Sequence, residues 1–246
     1  MSAEFNTVCV VGLGYIGLPT AATLAASGVE VKGVDVRAHI VNELNEGRAH
    51  FSEPDLDMLV QSAVGSGRLK AYSEPQPADA FIITVPTPVQ DDKSPDMSFV
   101  QMASEAVAPV LKAHDLIILE STSPLGATRM IEQIVRENRP DLVDGDTLQI
   151  SLAYCPERIL PGQMVRELVE NDRIVGLTKD DPILFMASRE DRKTITPSPL
   201  TPLLPGAGSR SGSRFGGAIT AHKLYNDYEV GTTFAQRASK WIRARG

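Results

Sequence analysis

The sequence VCVVGLGYIGLPTAATLAA, residues 8–26, decides the fold of this chain. An apolar run of strand type leads into three glycines spaced GxGxxG, and a small-residue segment of helical character follows. A strand, this turn and a helix form a dinucleotide-binding fingerprint, because the turn lets a pyrophosphate approach backbone amides at the helix N-terminus. The residues predicted to hold the cofactor here are Gly12, Gly14, Tyr15, Ile16 and Gly17.

An acidic residue follows at the spacing that the fingerprint requires. Asp35 ends a second strand-like run at residues 30–34. A carboxylate at that place accepts hydrogen bonds from ribose hydroxyls and repels a 2′-phosphate, which predicts NAD rather than NADP. Arg37 leaves NADP as an alternative cofactor, since a nearby arginine can accommodate the 2′-phosphate. The other interpretation of the glycines, a turn that serves only helix–strand packing, does not explain the spaced acid.

Composition excludes several classes of protein. The chain has 246 residues, 42% hydrophobic and 22% charged, which is typical of a globular protein. Two cysteines, Cys9 and Cys155, make neither a disulfide framework nor a metal cluster. The net charge of −7 argues against generic nucleic-acid binding. We find no apolar run of membrane-spanning length and no basic leader at the N-terminus, so the sequence predicts a cytoplasmic protein without membrane, metal or nucleic-acid partners.

Alternating strands and helices are predicted over residues 7–178. The predicted strands are 7–11, 30–34, 80–85, 116–119 and 148–153, and the predicted helices are 16–27, 37–46, a run from 53, 98–111 and 126–138. Short apolar strands separated by helices indicate a parallel sheet covered on both faces. The predicted fold class is therefore α/β, a doubly wound parallel sheet of Rossmann-like, NAD-binding type, with a poorly structured C-terminal tail.

Three predicted strands end in unusual sequence: VPTP at 85–88, ESTSPLG at 120–126 and YCPERILPG at 154–162. Each has a plain interpretation, as a rigid proline loop, a helix cap or a surface ion pair. Ligands of open α/β sheets bind outside the carboxyl ends of the strands. The joint placement of these three segments at strand ends therefore favours a functional site.

Four ordered segments, VGLGYIGLPTA, VPTP, ILESTSPLG and AYCPERILPG, resemble the UDP-glucose/GDP-mannose dehydrogenase family, and the CPERILPG form is most similar to its UDP-N-acetyl-D-mannosamine branch. The resemblance implies oxidation of the C6 hydroxyl of a UDP-sugar to a carboxylate with two NAD, for surface polysaccharide synthesis. It also implies a cysteine nucleophile that forms a thiohemiacetal and then a thioester, and a homodimer.

The resemblance also implies roles for single residues. Thr122 is matched to a threonine that organises water and proton transfers beside the cofactor, and Glu157 to a glutamate with an acid–base role at the substrate. Arg158 is expected near the nucleotide sugar. Pro161 stands where some relatives carry a second glutamate. The cofactor residues that follow from the resemblance and the fingerprint together are Gly12, Gly14, Tyr15, Ile16, Gly17, Asp35, Arg37, Pro86, Thr87 and Thr122.

The resemblance ends near residue 178, which predicts an NAD-binding domain at 1–178 and a divergent tail at 179–246. The family's lysine–asparagine segment, cysteine loop, dimer helix and second domain have no match in this sequence. The tail is basic where the preceding part is acidic, and residues 197–217 are rich in Pro, Gly and Ser. Two interpretations stay open: a disrupted reading frame, or a real tail with its own partner.

Neither Cys9 nor Cys155 matches the family nucleophile. We therefore expect this chain alone to be a truncated, inactive form that binds NAD weakly or not at all. The alternatives are a non-catalytic NAD-binding module and another UDP-sugar 6-dehydrogenase, such as UDP-glucose dehydrogenase. A β-hydroxyacid dehydrogenase with a similar first domain is a third class, against which the VPTP and CPER segments argue.

Overall fold

The structure is a computed structural model that describes residues 5–157, 159–171, 173–177 and 183–187. Arg158 lies outside the described residues, as does the Pro/Gly/Ser-rich segment 197–217. Residues 183–187, which belong to the predicted tail, form a strand.

Ten strands and six α-helices make up the described residues, with 3₁₀ turns at Ala108–Val110 and Pro140–Leu142. The strands are β1 Thr7–Val11, β2 Glu30–Val34, β3 Leu69–Tyr72, β4 Ala80–Ile83, β5 Leu116–Leu119, β6 Val143–Asp144, β7 Thr147–Leu148, β8 Ser151–Tyr154, β9 Arg173–Leu177 and β10 Ile183–Ala187. The helices are α1 Gly17–Ala26, α2 Ala38–Asn45, α3 Leu56–Gly65, α4 Ser98–Val107, α5 Ala127–Asn138 and α6 Met164–Glu170.

The main sheet has the strand order β10-β9-β8-β5-β4-β1-β2-β3. The six strands from β3 to β8 in this order are parallel, and β9 and β10 add to the β8 edge in antiparallel fashion. The order reverses between β1 and β4, which opens a crevice at their carboxyl ends. The doubly wound prediction is confirmed, and the antiparallel edge is a feature that the sequence pattern did not show.

Each face of the sheet is covered by its own helices. Val10, Ile82 and Ile118 belong to one buried cluster with residues of α1, α2 and α3. Cys9 and Phe81 belong to the other, with residues of α4 and α5. Successive strand residues point to opposite faces, so β4 and β5, covered on both sides, are buried at every position. This explains why their sequences are continuous apolar runs.

The helix α5 begins one residue after the predicted residue 126, but the plain interpretation of ESTSPLG as a helix cap is wrong. That interpretation would make Ser123 the cap and Pro124 the first helical residue. Instead α5 begins at Ala127, and Gly126 precedes it with φ 93°. The Ser123 hydroxyl donates to the Ser121 carbonyl and the Ala127 amide to the Pro124 carbonyl, which forms a turn before the helix.

Other differences come from short or polar elements. β3 has the alternating sequence LKAY, buried at Leu69 and Ala71 only, and lacks the apolar run that marks the central strands. The last parallel strand is Ser151–Tyr154 rather than 148–153, because Thr147–Leu148 pairs with Val143–Asp144 in a separate hairpin. Among the described residues, none of the helices is long and apolar enough to cross a membrane.

Two carboxylates support the opposite, amino-terminal edge of the sheet. Asp79 Oδ2 accepts bonds from the amides of Asn6 and Thr7 and from the Thr7 hydroxyl, each at 2.9 Å. Asp115 accepts the Lys112 amide at 2.7 Å and is 6% exposed. Burial raises the pKa of the Asp115 carboxyl to about 6, although the bond from Lys112 opposes this shift. Asp115 is therefore a destabilising charge at neutral pH.

We expect Asp115→Asn to stabilise the protein in a pH-dependent way. The unfolded carboxyl ionises near its ordinary pKa of 3.8 while the folded one stays protonated to about 6. The wild type therefore loses stability as the pH rises through this window, and the amide does not. The free energy of unfolding of the variant should exceed that of the wild type by about 2 kcal/mol at a pH of about 7.5. The two should converge at a pH of about 4.

Urea unfolding at the two pH values measures this difference. Asp91→Asn, which removes the same charge from an exposed position, is the control. An equal effect of Asp115→Asn at both pH values would contradict the assignment of the burial cost to this carboxyl.

Candidate dinucleotide site at the carboxyl edge of the sheet

The glycine turn between β1 and α1 is shaped by close backbone packing. A Cβ on Gly12, whose φ is 97°, would lie 2.9 Å from the Thr84 carbonyl oxygen. A Cβ on Gly17 would overlap the Gly12 carbonyl. A Cβ on Gly14 would meet nothing within 4 Å, so this glycine leaves its side of the turn open. The N-cap of α1, Ile16, makes no side-chain cap bond, so the N-terminal end of the helix suits an anion.

Thr84, the residue after β4, holds this turn in place. Its buried hydroxyl lies 2.7 Å from the Gly12 carbonyl oxygen and 3.0 Å from that of Val11. Its amide donates to the same Val11 carbonyl at 2.9 Å. Sequence reasoning did not single out Thr84. The only signal was one hydroxyl residue inside the apolar run at 80–85.

Asp35 lies at the end of β2 beside the glycine turn and is 5% exposed. Oδ2 accepts the Leu13 amide at 3.1 Å, and Oδ1 accepts the Arg37 amide at 3.0 Å. The Arg37 guanidinium adds one bond to each oxygen, at 2.9 and 3.0 Å. Burial raises the pKa of Asp35, but these hydrogen bonds and the Arg37 charge outweigh it, and the pKa lies below 3.8. The carboxylate is therefore ionised at neutral pH.

Arg37 is the more exposed of the hydrogen-bond partners of that carboxylate. Its side chain is 52% exposed, while the bonds from the amides of Leu13 and Arg37 belong to the backbone of the turn. A carboxylate has about four acceptor positions, and all four are in use on Asp35. A ribose hydroxyl can therefore reach Asp35 by displacing the guanidinium, without disturbing the turn.

An aromatic cluster lies next to the turn. The Tyr15 ring, 60% exposed, lies with its centroid 4.5 Å from that of Phe51, and the His50 ring meets the edge of Phe51 at 4.9 Å. Burial lowers the pKa of His50, and the charge of Arg37 lowers it further. Phe51 and His50 lie in the connection between α2 and α3, where the sequence carries no recognisable motif.

The loops after β4 and β5 are bonded to each other. The Thr87 hydroxyl donates to the Thr122 carbonyl at 2.7 Å, and the Ser121 hydroxyl donates to the Val85 carbonyl at 2.7 Å. Pro86 and the Thr122 side chain are exposed on this rim. The predicted residues Pro86, Thr87 and Thr122 are therefore brought together on the carboxyl edge.

The loop after β8 joins the same edge. The Tyr154 hydroxyl accepts the Ser123 amide and donates to the Ser123 carbonyl, both at 3.2 Å. Further along, the Glu157 amide donates to the carbonyl of Glu120 at 3.3 Å. Glu157 therefore lies beside the end of β5. Its loop follows β8, which pairs with β5, so this loop neighbours the one that carries Thr122.

The two thiols of the sequence are both buried. Cys9 and Cys155 are 0% exposed. Burial raises the pKa of the Cys9 thiol to about 11, which disfavours the thiolate. Neither thiol is accessible to a substrate in the described structure. Over the described ranges, no group of three or more His, Cys, Asp or Glu side chains is arranged to hold a metal ion.

Comparison with known proteins finds relatives that are named as dehydrogenases of nucleotide sugars. A dehydrogenase from Ralstonia nicotianae, named for NDP-N-acetyl-D-galactosaminuronic acid, is 56% identical over 177 residues. The UDP-N-acetyl-D-mannosamine dehydrogenases of Yersinia pestis and Escherichia coli K12 are 54% and 49% identical over the same length. Each match covers 70% of this chain and 42% of the relative. The chain thus spans less than half the length of these relatives.

Solved structures agree with the fold. The UDP-N-acetyl-mannosamine dehydrogenase of Staphylococcus aureus matches with a TM-score of 0.65 and 39% identity, over 70% of this chain and 42% of its own. That of Pyrococcus horikoshii matches with 0.65 and 36%, over 71% and 41%. The family profile described as the UDP-glucose/GDP-mannose dehydrogenase family, NAD binding domain, covers residues 6–188. The chain therefore belongs to the UDP-glucose/GDP-mannose dehydrogenase family, through its NAD-binding domain.

Proposed function

We propose that this chain is the NAD-binding part of a cytoplasmic dehydrogenase that oxidises the C6 hydroxyl of UDP-N-acetyl-D-mannosamine to UDP-N-acetyl-D-mannosaminuronate for surface polysaccharide synthesis. The names of several relatives support this substrate. The observation that carries the proposal is the glycine turn beside the β1–β4 crevice, with an ionised Asp35 next to it. The Ralstonia relative, named as an NDP-N-acetyl-D-galactosaminuronic acid dehydrogenase, favours a second candidate function of that type.

The residues of the turn fit NAD. Gly14 leaves room for the pyrophosphate and the N-terminus of α1 supplies favourable polarity. Asp35 would hold the adenosine ribose once Arg37 has moved aside. We propose that Tyr15, Ile16, Pro86, Thr87 and Thr122 line the remaining course of the cofactor. When bound, NAD accepts the hydride that leaves the substrate carbon.

The substrate side is proposed to involve Thr122 and Glu157. Thr122 is exposed on the rim. The Glu157 backbone is bonded to the end of β5. From these places, Thr122 would orient a water molecule or the reacting hydroxyl, and Glu157 would accept and return a proton during hydrolysis. Arg158, outside the described residues, is proposed to contact the nucleotide sugar.

A complete reaction needs a thiol that the residues of this chain do not offer. The covalent step of this chemistry requires an accessible cysteine thiolate. Cys9 and Cys155 are both buried. We infer that the chain by itself binds NAD and does not carry the sugar to the carboxylate.

NADH fluorescence titration, with a parallel assay of NAD reduction, tests the proposal. We expect saturable though weak NADH binding and no NADH formation with UDP-N-acetyl-D-mannosamine. The absence of any NADH binding would contradict the assignment of the site. Sustained NADH formation would contradict the conclusion about the thiols.

Asp35→Asn should change the choice of cofactor. The amide removes the charge that repels a 2′-phosphate and releases the Arg37 guanidinium, which can then pair with that phosphate. The ratio of NADH to NADPH affinity should fall about tenfold. Parallel titrations with the two cofactors measure it, with Asp91→Asn as the charge-matched control. An unchanged ratio would show that Asp35 does not face the ribose.

Thr84→Val should weaken NADH binding while the fold persists. Valine has nearly the same shape as threonine, but it leaves the Gly12 carbonyl without its bond at 2.7 Å. Loss of one such bond is worth about 1 kcal/mol, so NADH affinity should fall about fivefold. Thr84→Ser keeps the hydroxyl and should bind NADH like the wild type. Equal affinities of the serine and valine variants would contradict a role for the hydroxyl.

A further inference from the structure

Glu53, in the connection between α2 and α3, joins parts of the chain that are distant in sequence. Its side chain is 7% exposed. Oε2 accepts the Gly162 amide at 2.9 Å and Oε1 accepts the Met164 amide at 2.8 Å, across 109 and 111 residues. A buried carboxyl group is costly unless its oxygens are hydrogen-bonded. These two amides meet that requirement for both oxygens of Glu53.

The two amides belong to the start of α6. Met164 is the first residue of this helix and is 2% exposed, and the N-cap Gln163 makes no side-chain cap bond. The first amides of a helix lack partners within it. Glu53 supplies the missing acceptor from another part of the chain, and a carboxyl group is favourable at this end of a helix.

This bond pair anchors one end of the loop 155–163 between β8 and α6, in which every residue except Arg158 is described. Near its start, the Glu157 amide donates to the Glu120 carbonyl at 3.3 Å. In its middle, the Leu160 amide donates to Glu167 Oε2 at 2.8 Å. At its end, Glu53 binds the Gly162 and Met164 amides. Two residues before Glu157, the Cys155 amide donates to the Leu119 carbonyl at 2.9 Å, so the loop is held at both ends and Glu157 lies between these anchors.

The segment that carries Glu53 also touches the glycine turn. Phe51, two residues earlier, packs its ring on Tyr15 of the turn with centroids 4.5 Å apart. Residues 51–53 therefore contact both the glycine turn, through Phe51, and the loop that carries Glu157, through Glu53. A substitution of Glu53 removes contacts of that loop directly. The bonds of Gly12 to Thr84 and Val34 do not involve Glu53.

We propose that Glu53 is a positioning residue, which fixes the loop 155–163 against the carboxyl edge and so places Glu157 at the substrate side of the crevice. The substrate role of Glu157 rests on the proposed function. The placement itself is argued from the bonds of Glu53 to the Gly162 and Met164 amides, together with the backbone bonds of Cys155 and Glu157 at the end of β5.

Amide hydrogen exchange by NMR, on the wild type and on Glu53→Gln and Glu53→Ala, tests the proposal. Alanine removes both acceptors, so the amides of Gly162, Met164 and Glu157 should each exchange about tenfold faster or more. Glutamine offers a single carbonyl oxygen, so one amide of the Gly162–Met164 pair should keep its protection. The amide of Ala153, inside β8, should be unchanged in both variants.

Two comparisons separate positioning from a purely structural role. Glu74→Gln, at an exposed position, is the control and should leave all of these rates unchanged. If Glu53→Ala accelerates exchange at Gly162 and Met164 but not at Glu157, then Glu53 is only a helix cap and the proposal is wrong. Uniform acceleration that includes Ala153 would equally contradict it, since that is global destabilisation.

NADH titration of the same variants distinguishes this proposal from the proposed function. Glu53→Gln should bind NADH within about twofold of the wild type, because the bonds that hold the glycine turn do not include Glu53. A wild type that binds no NADH would contradict the proposed function, while the exchange rates at Glu157 still decide the role of Glu53.

Discussion

The close approach of Gly17 to the Gly12 carbonyl is the constraint on which the rest of the structure depends. No side chain fits at Gly17, so α1 begins directly beside the turn that follows β1. The Thr84 hydroxyl fixes the same carbonyl from β4. These contacts set the helix N-terminus at the point where the strand order reverses, which is where open α/β sheets bind ligands. The packing constraint and the anion site are therefore the same feature of the chain.

The Asp35 carboxylate beside this turn is stabilised by hydrogen bonds from the protein itself. A buried carboxylate is unfavourable without hydrogen bonds, and Asp35 obtains them from two backbone amides and one guanidinium. The amides hold Asp35 in its position, whereas the half-exposed Arg37 satisfies the lone pairs that a ribose hydroxyl would use. Under the proposed function, ribose binding would exchange one set of hydrogen bonds for another, and the ionised oxygens of Asp35 would still repel a 2′-phosphate.

Local pattern predicted most of the fold, and most of the residues proposed for the cofactor site follow from the same pattern. Strands buried on both faces have continuous apolar sequence, as β4 and β5 show, and Asp35 follows the glycines at a fixed spacing. The pattern failed where burial is partial, at β3, and where local bonds compete, as when Ser123 bonds Ser121 instead of capping α5. Thr84 and Glu53 could not be predicted, because their partners lie 72 and 109 residues away and only the folded sheet brings them together.

The two halves of the carboxyl edge are held by different kinds of contact. They therefore differ in how strongly their geometry depends on single residues. The half beside the glycine turn is set by β1, β2 and β4 and by two side chains, Asp35 and Thr84, which bond to the backbone of that turn. The other half is a row of loops tied by side-chain bonds, such as those of Thr87 to Thr122 and of Glu53 to Gly162. Backbone packing of parallel strands tolerates the loss of one contact better than a loop held at a few points. The geometry of the half beside the glycine turn therefore depends mainly on strand packing, refined by the local contacts of Thr84 and Asp35, whereas that of the loops depends on single distant side chains such as Glu53.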